Sequence, residues 1–211
     1  MMDAAASTSG FDAIRERIVA ARQRSAASGG GIAVVLTSPA SGEGVTTVTV
    51  GLACSFARMP GCRTLVVDDG GEAPGVAGHL GLAPRGGKTA RDEAPGSALD
   101  AVQRSPEHGI DVLVLDPGDV RRRHGAAAAV ADLRAAYDVV LIDAGSLQTH
   151  RPLAWSGRAD ETILVIDTER TTVEALERLR SDLAHAGRSL TGIILNKRRL
   201  PVPEALYRWF R

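Results

Sequence analysis

The sequence predicts a single α/β domain with a doubly wound, mostly parallel sheet and helices on both faces. Two observations support this prediction: short apolar runs alternate with segments of helical length, and no Pro- or Ser-rich linker divides the 211 residues. Strands that helices bury on both faces are nearly continuous apolar runs, whereas strands with one wet face alternate. In such domains, ligands bind beyond the carboxyl ends of the strands.

The predicted elements follow one another at regular intervals. The apolar runs that predict strands cover residues 32–37, 63–68, 110–115, 138–143, 161–167 and 190–196. Helical patterns cover residues 11–24, 46–59, 125–136, 150–157 and 171–186. The small polar residues 1–10 predict a disordered arm, the domain extends over 11–198, and 199–211 form a C-terminal tail.

Composition argues against several functional classes. Lys plus Arg and Asp plus Glu number 25 each, so no global basic field favours nucleic acid. Cys54 and Cys62 form no CxxC pair, which predicts free thiols in a reducing compartment. The N-terminus lacks the features of a secretory signal, and no apolar run reaches the roughly 18 to 20 residues of a membrane span. We therefore expect a cytoplasmic protein that binds no nucleic acid.

The loop after the first predicted strand has the features of a phosphate-binding loop. Gly42 and Gly44 let the backbone approach an anion, and a helix with Thr46 and Thr47 in its first turn follows at once. Amide groups at a helix start bind phosphate, and the first threonine is where such loops hold Mg²⁺. The strict GxxxxGK pattern is absent, because a proline stands at its first glycine and Val45 at its lysine.

Two other nucleotide motifs are weaker. Residues 42–47 approach the GxGxxG pattern of dinucleotide-binding folds, with Asp68 placed to bind a ribose hydroxyl. Thr47 at the third glycine would crowd the helix against the strand, and paired threonines suit Mg²⁺ better. The segment RGGKT at 85–89 contains Lys88, but no apolar strand precedes it and no helix-forming run follows. The loop after the first strand remains the preferred site.

Several segments resemble the bacterial tyrosine autokinases that control capsular and exopolysaccharide polymerisation, which are relatives of the septum-site and plasmid-partition ATPases. Residues 37–82 are similar to the P-loop, first helix and second strand of that family, and YDVVLIDAG at 137–145 resembles its Walker B strand. LTGIILNK at 190–197 resembles its final strand, and FDAIRER at 11–17 its subunit-contact helix. The resemblance covers residues 11–198 and implies a P-loop NTPase-like fold.

The resemblance also implies roles for individual residues. Mg²⁺ would be held by Thr46, Asp68 and Asp143, and the two acids would be catalytic if the chain is active. Asn196, at the end of the last strand, would approach the adenine. The nucleotide would otherwise contact the loop residues Ser41, Gly42, Glu43, Gly44, Val45, Thr46 and Thr47.

Several features depart from the family pattern. Val45 replaces the loop lysine, Gly70 replaces a second acid, and Glu72 replaces an arginine. Asp69 is a disfavoured substitute for the missing acid, because a one-residue offset at a strand end turns a side chain to the opposite face. The tyrosine-rich tail that such kinases phosphorylate is also absent; Tyr137 and Tyr207 are the only tyrosines.

These departures predict weakened binding of ATP or ADP and Mg²⁺, and a larger loss of catalysis. A lost charged hydrogen bond weakens binding by roughly 10- to 100-fold, and phosphoryl transfer depends almost wholly on electrostatic stabilisation. We therefore expect a catalytically degenerate member that regulates exopolysaccharide or capsule synthesis and export. The resemblance implies that it binds a membrane co-polymerase at the inner face of the plasma membrane, and that it forms homo-oligomers through the helix around Arg15.

Two alternatives stay open on the sequence alone. The first is an active ATPase or tyrosine autokinase with an atypical loop that borrows an arginine from elsewhere. The second is a positioning ATPase of the septum-site or partition type, although that class carries an additional lysine early in the loop and this chain has none there.

Overall fold

A computed structural model describes residues 4–25, 30–70, 74–82, 98–115, 120–149, 151–185 and 189–197. The C-terminal tail at 199–211, the segment around Lys88 and the position of Glu72 lie outside these ranges. None of the helices in the described part of the chain is both long and apolar enough to cross a membrane.

The described residues form one seven-stranded sheet in the order β3-β4-β2-β5-β1-β6-β7. The strands are β1 Ile32–Ser38, β2 Thr64–Asp68, β3 Gln103–Arg104, β4 Asp111–Val114, β5 Val139–Ser146, β6 Glu161–Asp167 and β7 Gly192–Asn196. Neighbouring strands pair in parallel, except that β3 is antiparallel to β4. The predicted mostly parallel α/β fold is confirmed, and the short β3 is an edge strand that the sequence pattern did not show.

Seven α-helices connect these strands within the described ranges. They are α1 Ala4–Ser25, α2 Val45–Ala57, α3 Gly75–His79, α4 Val120–Ala128, α5 Val130–Ala136, α6 Arg151–Ser156 and α7 Val173–His185. Short 3₁₀ turns cover Ala98–Ala101 and Leu147–Thr149.

Two predictions about helices were wrong. Residues 4–10 are not a disordered arm but the first turns of α1. Alanine is a strong helix former, and extending an existing helix is much easier than starting one. The single helix predicted over 125–136 is two helices, α4 and α5, because Ala129 leaves the helical conformation with φ −83° and ψ 6°. The break lets α4 pack against α6 while α5 packs on β1 and β5.

Side chains from alternate strand residues enter separate apolar layers on the two faces of the sheet. In β1, Val34 and Leu36 pack in the layer formed with α1 and α2, whereas Ala33 and Val35 pack with α5 and α6. Helix α7 covers β6 on the same face of the sheet as α5 and α6. Because the strands are parallel and buried on both sides, their carboxyl ends meet at one edge, where the loop before α2 lies.

One carboxylate ties α1 to α2. Asp12 Oδ1 accepts hydrogen bonds from Ser55 Oγ, from Arg15 at 3.1 Å and from Arg58 at 2.8 Å. The hydrogen bond from Ser55 lowers the pKa of Asp12. Arg15 also donates to the backbone oxygen of Ser55 at 3.2 Å. The arginine expected to contact a neighbouring subunit is thus bonded within its own chain, and α1 stabilises the helix that begins at the loop.

Candidate nucleotide-binding site

The loop between β1 and α2 requires glycine at two positions. Gly42 and Gly44 have φ values of 80° and 95°, in the left-handed region that favours glycine. A Cβ at Gly44 would also collide with the side-chain amide of Asn196. Ser41, Gly42 and Thr47 are exposed, as a loop open to a ligand requires. The loop then leads directly into the first turn of α2, where free amide groups can bind an anion.

Val45 contributes packing instead of charge. Its side chain is only 6% exposed and belongs to the apolar cluster that includes Leu36, Val48 and Leu52. The valine side chain at the position of the loop lysine therefore packs in the core and supplies no charge to the loop. No positive charge from this part of α2 can reach a phosphate in the loop.

The three residues predicted to hold Mg²⁺ lie at the same edge of the sheet. Thr46 Oγ1 donates a hydrogen bond of 2.6 Å to Asp143 Oδ2. Asp68, the last residue of β2, is paired directly with Asp143 of β5. Asp143 Oδ1 also accepts from the Gly145 N–H at 3.1 Å, and Asp68 Oδ2 accepts from the Val76 N–H at 2.8 Å.

This donor set fits Mg²⁺ when a nucleotide is present. Mg²⁺ is usually bound by one or two carboxylates together with phosphate oxygens and water. Within the described residues, no group of three or more His, Cys, Asp or Glu side chains is arranged to hold a metal by itself. A metal at Thr46 would therefore need oxygens from a phosphate.

The two carboxylates are held where negative charge is unfavourable. Burial raises the pKa of Asp143 to about 6; the hydrogen bond from Thr46 opposes this change, and the nearby charge of Asp68 adds to it. Burial also raises the pKa of Asp68, against the backbone hydrogen bonds that it accepts, such as that from Val76. Two neighbouring buried acids with raised pKa values are stabilised by protonation or by a bound cation.

Asp69 does not replace the second acid of the family pattern. Asp69 is fully buried, and its Oδ2 accepts a hydrogen bond of 2.9 Å from Trp155 Nε1. Trp155 belongs to the layer formed with α5 and α6, so Asp69 faces the side of the sheet opposite to Asp68. The predicted orientation of Asp69 is confirmed. A Cβ at Gly70 would lie 3.1 Å from Asp143 Oδ1, so a carboxylate there would crowd Asp143 as it is now placed.

Arg151 is a residue of this region that sequence reasoning missed. Its Nη1 donates to the backbone oxygens of Asp69 at 3.0 Å and Gly70 at 2.8 Å. An arginine therefore stands beside the end of β2, although it comes from α6. Since about 80 residues separate these partners in the chain, no local pattern could have indicated the contact.

The ends of β6 and β7 hold the other side of the loop. Asn196 Nδ2 donates to the Glu43 backbone oxygen at 2.8 Å, and the Glu43 carboxylate accepts from the Asp167 N–H at 3.2 Å. Lys197 Nζ donates to the Gly42 oxygen at 2.7 Å and to Asp167 Oδ2 at 3.0 Å. Asn196 thus lies at the loop, as expected for a residue near the nucleotide, and its contact with adenine stays a prediction.

Sequence reasoning missed Asp167 and Lys197, although a signal was present. Both residues stand at the carboxyl ends of neighbouring predicted strands, where ligands bind in parallel sheets. Lysine is also rare in this chain, since only Lys88 and Lys197 occur among 25 basic residues.

No protein-family model matches the chain. Tyrosine-protein kinase YwqD of Bacillus subtilis (strain 168) is 29% identical over 173 residues, which are 79% of this chain and 73% of that protein. The VpsO kinase domain superposes with a TM-score of 0.68 and 25% identity, covering 89% of this chain and 96% of that domain.

A more distant structure shares the fold alone. Cobyrinic acid a,c-diamide synthase from Mycobacterium smegmatis, with an ATP analogue and magnesium bound, is 21% identical with a TM-score of 0.56. The match covers 77% of this chain and 72% of that protein. The resemblance predicted from the loop and its flanking strands is confirmed: the chain is a relative of the bacterial tyrosine-protein kinases and has the P-loop NTPase-like fold.

Proposed function

We propose that this chain retains a weakened nucleotide site and transfers no phosphoryl group. The observation that carries the proposal is the burial of Val45 in the apolar core, where related loops hold a charged lysine. Loss of one charged hydrogen bond weakens binding by roughly 10- to 100-fold, so binding survives in reduced form. Phosphoryl transfer depends on stabilising charge in the transition state and is more sensitive to the same loss.

The one tyrosine in the described ranges is poorly suited to accept a phosphoryl group. Tyr137 Oη donates a hydrogen bond of 3.1 Å to Asp111 Oδ2. Burial raises the pKa of Tyr137 to about 12, and the charge of Asp111 adds to this effect. A phenol that must give up this bond and resists deprotonation is a weak nucleophile.

An active enzyme is the second candidate function, and one observation favours it. The hydroxyl of Thr46 and the carboxylate of Asp143 are 2.6 Å apart, with Asp68 paired to Asp143 on the next strand. The three residues predicted to hold the metal therefore lie together, while the charge of the loop residue is lost. An ATPase or autokinase would need another cation to replace the lysine.

The proposed role is regulation of exopolysaccharide or capsule synthesis and export through a membrane co-polymerase. The kinase relatives support this role, and we place the protein in the cytoplasm at the inner face of the plasma membrane, held there by that partner. Homo-oligomers through α1 stay a prediction. In such an assembly, Arg15 would have to exchange its bonds to Asp12 and Ser55 for bonds to a neighbour.

An assay of Mg²⁺-dependent ATP hydrolysis and autophosphorylation tests the enzymatic part. Native protein should show no more turnover than the Asp143→Ala variant, which serves as the matched background. The Val45→Lys variant should bind ATP more tightly than native protein. Native turnover that disappears on Asp143→Ala would instead establish the active alternative.

A binding experiment tests the partner. The chain should co-purify with the cytoplasmic segment of a chain-length-control membrane protein encoded beside it. Absence of binding, both with and without Mg²⁺ and ADP, would contradict the proposed role. Light scattering of native protein and Arg15→Ala would report in the same samples whether α1 mediates self-association.

A further inference from the structure

A lysine reaches the loop from a different strand than the one that precedes α2. The side chain of Lys197, directly after β7, donates to the Gly42 oxygen at 2.7 Å. We propose that Lys197 supplies the phosphate-neutralising charge that Val45 lacks. This inference rests on the proposed nucleotide site and names the residue that would bind the β-phosphate in it.

The backbone at Lys197 supports a specific role for its side chain. Among the described residues, Lys197 is the only non-glycine residue with positive φ, at 53°. Such conformations are unfavourable for residues with a Cβ and concentrate at functional sites, where surrounding contacts enforce them. At this residue, the ammonium group bonds to Gly42 and Asp167.

The choice of residue type also favours a phosphate ligand. Of 25 basic residues only Lys88 and Lys197 are lysine, so arginine is the ordinary cation of this chain. The lysine ammonium is a compact charge with three donors on a flexible stem, which suits a loop that encloses phosphate. Two of these donors contact Gly42 and Asp167 among the described residues, which leaves one for an entering anion.

Other charged groups also lie at the loop. Arg170 is a second cation there, because a Cβ on Gly42 would lie 3.5 Å from its Nη1. The carboxylates of Asp167 and Glu43 are 2% and 3% exposed. Backbone and Lys197 hydrogen bonds lower the pKa of Asp167, so this acid stays ionised and holds the lysine at the loop. A phosphate that enters would compete with Asp167 for Lys197.

Calorimetric titration with Mg²⁺ and ADP tests the inference. The Lys197→Met variant should lose roughly 10- to 100-fold in affinity, the effect expected for one charged hydrogen bond. The double variant Lys197→Met/Val45→Lys should regain most of this loss. Lys88→Met removes the other lysine of the chain and should leave the affinity unchanged. Thermal denaturation of each variant confirms that it is folded.

Two measurements separate phosphate contact from a merely structural role. Lys197→Met should weaken ADP binding much more than AMP binding, because AMP lacks the β-phosphate. Lys197→Arg keeps the positive charge and should retain more of the ADP affinity than Lys197→Met does. If Lys197 only braces the loop, Lys197→Met would weaken ADP and AMP binding alike, and the inference would be overturned.

The remaining outcomes distinguish this inference from the proposed function. Equal ADP affinity of native protein and Lys197→Met would overturn the inference and leave the degenerate enzyme in place. Native protein that binds no ADP at millimolar concentration would overturn both the inference and the proposed nucleotide site, and only the proposed lack of catalysis would stand. ATP turnover that depends on Asp143, together with a loss of ADP affinity in Lys197→Met, would support the inference and overturn the proposed lack of catalysis.

Discussion

The buried carboxylate of Asp143 should make the fold less stable at neutral pH than in mild acid. Its pKa in the folded protein is about 6, against an ordinary value of 3.8. Between pH 3.8 and about pH 6, the unfolded chain has released the proton of Asp143, whereas the folded chain keeps it. The free energy of unfolding therefore falls as pH rises. The whole effect is present above pH 6 and amounts to about 3 kcal/mol.

The Asp143→Asn variant isolates this effect because asparagine does not ionise. The carboxylate oxygens accept separate bonds from Thr46 and from the Gly145 N–H, and asparagine can satisfy only one of them through its oxygen. We expect this loss to cost about 1 kcal/mol at every pH. The variant should then be about 1 kcal/mol less stable than native protein at pH 4 and about 2 kcal/mol more stable at pH 7.5.

Urea denaturation without Mg²⁺, followed by circular dichroism between pH 4 and 7.5, measures this difference. Asp12→Asn is a control whose stability difference should stay nearly constant over this range, because the bond from Ser55 lowers the pKa of Asp12 from 3.8. The stability from Asp12 is present above its ordinary pKa and is lost as pH falls through its folded pKa. A stability difference between native protein and Asp143→Asn that stays constant over this range would refute the argument.

Three further predictions follow from single contacts. Trp155→Phe keeps the ring in the core but removes the bond to the buried carboxylate of Asp69, so urea denaturation should show a loss of about 1 to 3 kcal/mol. Gly44→Ala places a Cβ at φ 95°, and we expect a loss of at least about 1 kcal/mol in thermal or urea denaturation. Ultraviolet titration should show a phenol that ionises near pH 12 in native protein. This signal should be absent from Tyr137→Phe, and a native titration complete by pH 11 would contradict the bond to Asp111.

Local pattern was sufficient to locate the strands and the loop. The runs at 32–37 and 161–167 correspond to β1 and β6 almost residue for residue, because strands buried on both faces need continuous apolar side chains. Gly42 and Gly44 were identifiable since few other residues adopt their positive φ values. Asp68 and Asp143 were identifiable because each ends an apolar run of the sequence. Neighbouring parallel strands bring residues at such positions together.

Local pattern was insufficient wherever the outcome depended on distant packing. The helix predicted over 125–136 breaks at Ala129, because its two parts pack against different elements. Alanine-rich segments carry little information about their partners, since a methyl group fits many surfaces. Residues 4–10 were likewise assigned from composition, whereas the helix that follows extends through them.

The sequence by itself determined the α/β fold, the position of the phosphate loop and the loss of its lysine, because these depend on residue type and order along short segments. Only the tertiary structure decided that Val45 enters the core and that Lys197 lies 2.7 Å from the Gly42 oxygen. These two residues are far apart in the chain and near the same loop in the fold. Strand order and register bring β7 beside β6 and thus set which distant charges reach the site.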